Sequence, residues 1–454
     1  MNKYIKTAIL SATAVLSFGA VAQNTNSAYF TEGYTHRYEL NPAFGNEKNY
    51  ISIPVVGNFN AAMRGTIGLE NIFYNVDGQT TTFLNPAVDA SFLNDINDMS
   101  RLGGDMNISL MSAGFKAFNG YNTVSFNVKG NINSLIPKTL FSFMKEGIEN
   151  KTYDISNFDI HTDVYGEIAL GHSHQLGDKW RIGGAVKFLL GAANVDARFN
   201  KAQLTLGEDA WSAVTNAEIQ ASVKGLNYET EINEATGHEY VNGLEAEELG
   251  LNGFGMAVDL GAEFKPNKNW SISVALLDLG FIKWNNNVVA STGGDKTFST
   301  DAYSFSVDND APNFIGDELE KMVDDLSAIY ELENKGDMGS RTTTLAATLN
   351  IGAEFALPVY DKLKFGLLNS TRFQGDYTWT EFRLGANINP VKPLSLGANV
   401  VVGTYGWGFG WMANVNITGF NLFLGMDRTL GKLTKQGLPL SSNGSVNLGV
   451  NIPF

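Results

Sequence analysis

Hydrophobic and polar residues alternate through the last ten residues of the chain. Because successive side chains of a β-strand point to opposite faces, the alternation predicts a strand with one hydrophobic and one polar face. Such a strand, ending on an aromatic residue, is typical of a transmembrane β-barrel, although the edge strand of a soluble sandwich shows the same pattern. The hydrophobic positions are Val446, Leu448, Val450, Ile452 and Phe454.

The same alternation recurs between short turns from Gly104 to the C-terminus. The turn sequence Asn119-Gly120 follows one such segment, and an Asn-Gly pair is a strong hairpin signal. Evenly spaced short strands and turns predict an all-β fold.

A generous count gives about 18 strands, and bacterial barrels use even numbers. Two pairs of segments can form hairpins that stand above the membrane: 194–206 with 217–226, and 281–290 with 297–307. Without them about 14 strands remain. We therefore predict a transmembrane antiparallel barrel of about 14 strands.

The long connections fall on one side of the predicted barrel. Counting back from the last strand, most tight turns lie at the end that holds Phe454, and the long segments lie at the other. Membrane barrels have short periplasmic turns and long outer loops. The long segments are 75–103, 133–159, 228–250, 308–341 and 429–443.

Two of these connections contain a helical pattern. Hydrophobic residues at helical spacing occur in 317–332 and in 134–148. The first stretch is strongly acidic, whereas a helix that lies on a membrane surface usually carries Lys and Arg. We expect two loop helices that pack at the barrel mouth.

The N-terminal region divides into two parts. Residues 1–22 resemble a cleaved secretory signal peptide, with Lys3 and Lys6 before an apolar run and Ala20-Val21-Ala22 before the predicted cleavage site. No other run is apolar enough for a membrane helix. Residues 23–45 do not alternate cleanly and are predicted to plug the barrel, which then comprises residues 46–454.

Composition excludes several classes of protein. The chain has no Cys, which rules out disulfides and thiolate chemistry, and its formal net charge is −15, which argues against nucleic acid as a partner. Charged residues make up 17%, against about 25% in typical globular chains. Low charge suits strands that have one face in lipid.

Candidate chemistry is sparse. His172 and His174 share one strand face, but no third metal ligand can be assigned. The seven Glu residues of segment 228–250 read as a solvated outer loop. No catalytic or phosphate-binding motif is found, so we predict no enzyme, no metal site and no cofactor.

Three aromatic residues alternate with glycines near the C-terminus: Trp407, Phe409 and Trp411. Such residues suit the aromatic girdle at a membrane interface. The alternative is that they face the lumen or a hydrophobic ligand.

The chain resembles two protein families, and these resemblances imply a function. With Asn41-Pro42-Ala43 after a non-alternating segment, the chain resembles the long-chain fatty-acid transporter (FadL-like) family. That resemblance implies a 14-stranded outer-membrane barrel with an N-terminal hatch, hydrophobic molecules bound near the outer mouth, and their exit through an opening in the wall. Segment 49–69 is extended at the place where a compact hatch would continue, which implies that the plug of this chain is short.

Segments 276–284 and 366–373 resemble an uncharacterised outer-membrane family of the Bacteroidetes that is related to the transporters. The C-terminal stripe, from Val446 to Phe454, resembles the signal by which such barrels are recognised for insertion. The implied partners are outer-membrane lipid and the barrel-assembly machinery.

We therefore expect an outer-membrane barrel for passive passage or binding of small hydrophobic molecules. The rival hypothesis is a structural or docking barrel, for secretion or surface attachment, without transport. An apolar lumen with a gap in the wall would favour passage. A filled lumen with exposed apolar loop helices would favour docking. A soluble exported β protein, the third option, would need no detergent.

Overall fold

The computed structural model describes residues 25–146, 149–233, 236–246, 250–308, 311–429 and 441–454. The predicted signal peptide, residues 1–22, lies outside this part of the chain. Within it the fold is almost entirely β-structure, as the alternating pattern predicts.

The described strands, in chain order, are β1 (Tyr50–Ser52), β2 (Phe59–Gly65), β3 (Phe73–Val76), β4 (Gln79–Thr82), β5 (Met99–Ala117), β6 (Gly120–Pro137), β7 (Lys151–Asp154), β8 (Asp159–Leu176), β9 (Trp180–Leu206), β10 (Trp211–Val223), β11 (Leu226–Ile232), β12 (Glu239–Ala246), β13 (Gly253–Asn267), β14 (Trp270–Trp284), β15 (Val288–Ser291), β16 (Lys296–Ser299), β17 (Glu333–Asp337), β18 (Arg341–Thr344), β19 (Ala347–Ala356), β20 (Leu363–Phe373), β21 (Trp379–Val391), β22 (Leu394–Gly403), β23 (Gly406–Ile417), β24 (Phe420–Met426) and β25 (Gly444–Pro453). The described α-helices are α1 (Lys138–Glu146) and α2 (Ile315–Ala328). Short 3₁₀ helices span Asn26–Ala28, Arg37–Glu39, Leu69–Asn71, Ala90–Asp95 and Thr300–Ala302.

Fourteen antiparallel strands close into a barrel, which confirms the predicted fold class and strand number. The first strand is formed by β1 and β2 together, and it pairs with β5 on one side and with β25 on the other. The others follow as β6, β8, β9, β13, β14, β19, β20, β21, β22, β23 and β24. Closure removes the free edges that an open sheet would present.

The two faces of the wall differ as the alternation requires. Along β13, Phe254, Met256 and Val258 are exposed on the outer face, whereas Ala257 and Asp259 are buried on the inner face. This apolar outer surface suits contact with lipid. No helix among the described residues is long and apolar enough to cross a membrane.

The first strand contains a large bulge beside the point of closure. Tyr50 pairs with Pro453 and Phe59 with Leu448, so nine steps along the first strand lie opposite five steps of β25. The extra residues turn outward, and Val55 has a positive φ of 68°, which is strained for a β-branched residue. We call residues 53–57 the seam bulge.

The sheet of the wall extends beyond the barrel at the end with long loops, and we call this part the projecting sheet. The first half of β9 pairs with β13 in the wall, while its second half pairs with β10. The proposed hairpin of 194–206 with 217–226 is thus broadly correct. The proposed hairpin of 281–290 with 297–307 is wrong, because β15 and β16 both pair with β10 and not with each other.

The loop helices are shorter than the sequence pattern suggests. Residues 134–137 continue β6, and the first helix starts only at Lys138. The second helix spans Ile315–Ala328 and has no fully buried residue.

Candidate functional site

The segment 25–45, which we call the plug, contacts strands on all sides of the barrel. Its hydrogen bonds reach β2, β13, β14 and all the strands from β19 to β25. A short segment can reach strands on all sides of a closed barrel only from within it. The plug therefore lies in the lumen, where its 3₁₀ turns alternate with irregular backbone.

The Asn41-Pro42-Ala43 motif fastens the plug to the wall. The Asn41 amide oxygen accepts a 2.9 Å hydrogen bond from the Ala43 backbone N–H, which makes a local turn. Its amide nitrogen donates to the carbonyl oxygens of Val274 (3.2 Å) and Ala262 (3.4 Å). Asn41 is completely buried, so its side chain supplies partners that water cannot.

Glycines in the wall make room for the plug. A Cβ atom on Gly183 would lie 2.1 Å from the Pro42 carbonyl oxygen, and one on Gly261 would lie 2.1 Å from the Asn41 amide oxygen. Gly366 faces the Phe30 ring at 2.3 Å in the same way. These close approaches require glycine and fix where the plug can lie.

His36 and Glu39 connect the plug to the first strand. His36 Nε2 lies 3.2 Å from the carbonyl oxygen of Gly57, within the seam bulge, and its Nδ1 lies 3.2 Å from the Glu39 carboxylate. Asn58 and Asn107 also donate to that carboxylate. Burial favours a raised pKa, but His36, Lys129 and Asn58 outweigh it and hold the pKa of Glu39 below its ordinary value.

An arginine cluster surrounds the first residues of the plug. The backbone N–H groups of Asn26 and Ser27 donate to Asp427. The Asn26 side chain donates to Glu381 at 2.9 Å, and Arg383 binds the same carboxylate at 2.8 Å. The cluster consists of Arg64, Arg372, Arg383 and Arg428 with Asp105, Glu381 and Asp427, and so carries one more cation than anions.

A lysine cluster lies on the opposite side of the plug. Lys187 is 2.6 Å from both Asp259 and Asp278, and Lys129 is 2.7 Å from Glu167. These two cations and three carboxylates leave a formal excess of one negative charge. Asp278 reaches the cluster because it occupies a bulge with a positive φ of 57°.

Two of the cavities lie between plug and wall. The first, of about 480 Å³ including open solvent, is lined by Tyr38, Pro42, Tyr121 and the Lys187 side of the lysine cluster. The second, of about 540 Å³ including open solvent and here called the outer cavity, lies between the two charged clusters. Its lining includes Asp105, Lys129, Asp278, Thr348, Asn350 and Arg372.

One patch of the inner face is apolar. Five buried side chains pack together there, with Leu345 against them. The Trp284 ring is fully buried and donates its indole N–H to Thr343 at 2.9 Å. We call this set, Tyr165, Leu189, Ala257, Ile282 and Trp284, the apolar patch.

The strand ladder is interrupted beside the apolar patch. β14 pairs with β19 up to Leu277 and with β18 from Phe281, leaving residues 278–280 and 345–347 without paired register. A backbone hydrogen bond from the Leu345 N–H to the Gly280 carbonyl spans this interval. The outer surface here carries the exposed side chains of Leu279 and Phe281.

The predicted aromatic residues lie on the outer face. Trp407 is 79% exposed and Phe409 45%, and Trp411 has the same parity along β23. Met412 and Asn414, which follow them on β23 with the opposite parity, are buried against the lumen. The three rings thus point away from the lumen, as a girdle requires.

The C-terminal stripe also faces outward. Val446, Leu448 and Val450 are partly exposed, and Ile452 and Phe454 more so. Asn447 and Asn451 on the other face are buried and bond to Asn60 and Gly57. The signal role of the stripe stays a prediction.

The two histidines on β8 do not assemble a metal site. Their rings stack at 5.9 Å, and His172 Nδ1 lies 2.9 Å from the Asn122 amide oxygen. No group of three or more His, Asp or Glu residues suited to a metal occurs in the described part of the chain.

Sequence reasoning missed both charged clusters. Lys129 stands on the polar face of an alternating segment, where a lone charge is a signal of the lumen. Its partners Glu167 and Asp278 lie 38 and 149 positions away, and no local pattern connects them.

Solved barrels share the overall layout at low similarity. A mutant of the TodX monoaromatic hydrocarbon channel is 9% identical over 96% of this chain and 98% of that chain, with a TM-score of 0.46. The P. putida toluene transporter TodX is 8% identical over 96% and 97%, with a TM-score of 0.40. The translocator domain of the autotransporter NalP from Neisseria meningitidis is 10% identical over 90% of each chain, with a TM-score of 0.32.

Among curated proteins none matches the chain. Residues 42–427 match the model of a family of unknown function, DUF5723. The match covers most of the chain and confirms the resemblance to an uncharacterised barrel family. The chain belongs to the DUF5723 family.

Proposed function

We propose that the protein is an outer-membrane barrel that binds small hydrophobic molecules and passes them through its wall. The observation that carries the proposal is the apolar patch beside the interrupted ladder. Elsewhere the lumen-facing residues are mainly Asn, Ser, Gly and charged side chains, which would disfavour an apolar solute. The patch offers such a solute favourable contacts on the lumen side.

The wall at the patch is apolar on both its inner and its outer face. Ile282 on the inner face and Phe281 on the outer face are consecutive residues of β14. Residues 278–280 and 345–347 have no paired register, so the wall can separate there with less disruption than along a continuous ladder. Release into lipid would require no energy source, and the plug would keep the rest of the lumen closed.

Uptake of a hydrophobic fluorescent dye tests the proposal. Cells that contain the protein should take up N-phenyl-1-naphthylamine faster than a deletion strain. Ile282→Asn should reduce the protein-dependent uptake roughly tenfold, because it places an amide among apolar contacts. Val401→Asn is the matched control, since Val401 is equally buried on the lumen face of β22.

Equal uptake with and without the protein contradicts the proposal. Equal losses in the two variants would show that any buried amide is harmful, and would remove the specific role of the patch. Heat-dependent mobility on gels reports whether each variant is folded.

A docking function is the second candidate, and helix α2 favours it. Leu319, Val323 and Leu326 are each more than 40% exposed along one stripe of this helix. A photo-crosslinking residue at Val323 should capture a partner if the stripe is an interface. The same residue at Glu320 is the control, and absence of any crosslink at Val323 contradicts docking.

A further inference from the structure

The outer cavity has walls of opposite charge. On one side Arg372 belongs to the arginine cluster, which has one more cation than anions. On the other side Asp278 belongs to the lysine cluster, which has one more anion than cations. The cavity therefore lies across a fixed local dipole.

Arg372 is weakly paired for a buried cation. Its closest described carboxylate is Asp105, 3.8 Å from Nη1, and that carboxylate is already engaged by Arg64. Arg372 is only 9% exposed, and its Nε has no described hydrogen-bond partner. A buried, charged donor without a partner is costly, so the site is ready to accept an anionic group.

Two polar side chains near Arg372 also have an oxygen without a described partner. Asn350 on β19 lies opposite Ser370 on the adjacent strand β20. Both Asn350 and Ser370 are 1% exposed, and their side-chain oxygens have no described partner. The Asn350 amide nitrogen donates to the Leu40 carbonyl at 3.0 Å, which fixes the orientation of its free oxygen.

We propose that the outer cavity binds a small hydrophilic zwitterion, with its carboxylate against Arg372 and its ammonium group toward Asp278. The unpaired oxygen of Asn350, which lines the cavity, accepts an additional N–H or O–H donor of the same molecule. A simple anion would satisfy Arg372 and leave the excess negative charge of the lysine cluster unmatched, and a simple cation would do the reverse. A hydrophobic molecule would leave Arg372 without a close partner.

Titration calorimetry on the purified full-length protein in detergent tests the proposal. The probes are ω-amino acids of increasing length, from glycine to 6-aminohexanoate, with acetate and methylammonium as single-charge controls. One length should bind best, because the carboxylate and ammonium groups must reach both walls. The single-charge probes should bind at least roughly tenfold more weakly.

Two variants locate the site. Arg372→Gln and Asp278→Asn should each weaken the best zwitterion roughly tenfold or more. Arg181→Gln is the matched control, because Arg181 lies on β9 near its short turn and outside the cavity lining. Unchanged dye uptake in these variants would separate this site from the hydrophobic passage proposed above.

Three results overturn the proposal: no measurable binding of any probe, equal binding of acetate and the zwitterions, or equal affinities across the length series. All three are read on the unmodified protein, so the test stands even if a variant fails to fold. Loss of binding in Arg181→Gln would overturn the assignment to this cavity.

Discussion

Single residues in the wall determine how the plug is held. Gly183 and Gly261 allow the backbone of Asn41 and Pro42 to approach the strands, where any larger side chain would collide. The amide of Asn41 then supplies the directional contacts. The sequence pointed to Asn41, but it could not show that two distant glycines form its seat, because their closeness arises only when the barrel closes.

A methyl group at Gly183 should loosen the plug. Gly183→Ala places Cβ 2.1 Å from the Pro42 oxygen, an overpacking that typically costs about 1–3 kcal/mol. We expect a folded barrel with higher single-channel conductance in planar bilayers. Gly184→Ala is the control, because its Cβ would meet only ordinary or slightly tight contacts, the nearest at 3.2 Å. Equal conductance in both variants would show that the plug does not depend on this contact.

The plug should release in acid through Glu39. Its pKa is held below the ordinary value, near 4.3, so its ionised form stabilises docking above that pH. The contribution is lost as the pH falls through the lowered pKa. Protease cleavage within residues 25–45 should therefore increase in acid.

Glu39→Gln removes this contribution. The variant should already dock more weakly at neutral pH, by about 1–3 kcal/mol, and should respond less to acid. Glu47→Gln, at an exposed position just after the plug, should behave like the unmodified protein. A full acid response in Glu39→Gln would contradict the role of this carboxylate.

At the scale of elements, the alternating pattern predicts the face of a strand on which a residue lies better than it predicts which strands pair. It placed Lys129 on the polar face and found the extension of β9 above the membrane. The pattern failed for β15 and β16, because turn residues lie between these two strands and the sequence therefore looks like a hairpin. Their true partner, β10, is more than 60 residues earlier, and nothing local encodes that pairing.

The β11–β12 hairpin should be dispensable for folding. It forms its own two-stranded sheet and packs on the projecting sheet through Tyr228, away from the wall. Replacing residues 226–246 by Gly-Gly should leave heat-dependent gel mobility unchanged. Deleting the single residue Val400 from β22 should abolish it, because the remainder of that strand would present its other face to the lipid.

The C-terminal residue should matter for assembly more than for stability. Phe454→Ala should lower the amount of assembled barrel in membranes severalfold, if the stripe is the insertion signal. Phe420→Ala removes a similarly exposed ring from the neighbouring strand and is the control. Equal assembly of both variants would contradict a signal at the C-terminus.

At the scale of the whole molecule, loop lengths carried the most information. Their one-sided distribution favours a closed membrane barrel. The predicted number of 14 strands is confirmed, although it follows from setting aside two hairpins, one of which is wrong. The content of the lumen could not be predicted, since it depends on contacts among strands far apart in sequence.

Export makes a direct prediction about the mature chain. Mass spectrometry of protein from outer-membrane fractions should give a chain that begins at Gln23. Protein that retains residues 1–22, or that is recovered without detergent, would contradict the predicted processing and location.

The plug inside a closed barrel also has a consequence for the order of assembly. Residues 25–45 are synthesised before every strand, whereas the last strand to be made, β25, is the one that pairs with the first and shuts the ring. Enclosing the segment before that final pairing avoids threading it later through one end of a closed barrel. His36 of the plug contacts the Gly57 carbonyl oxygen in the seam bulge, beside the junction of the first and last strands. The plug can thus act as a template around which the first and last strands pair. Deletion of the plug should therefore impair closure of the barrel before it affects any other property.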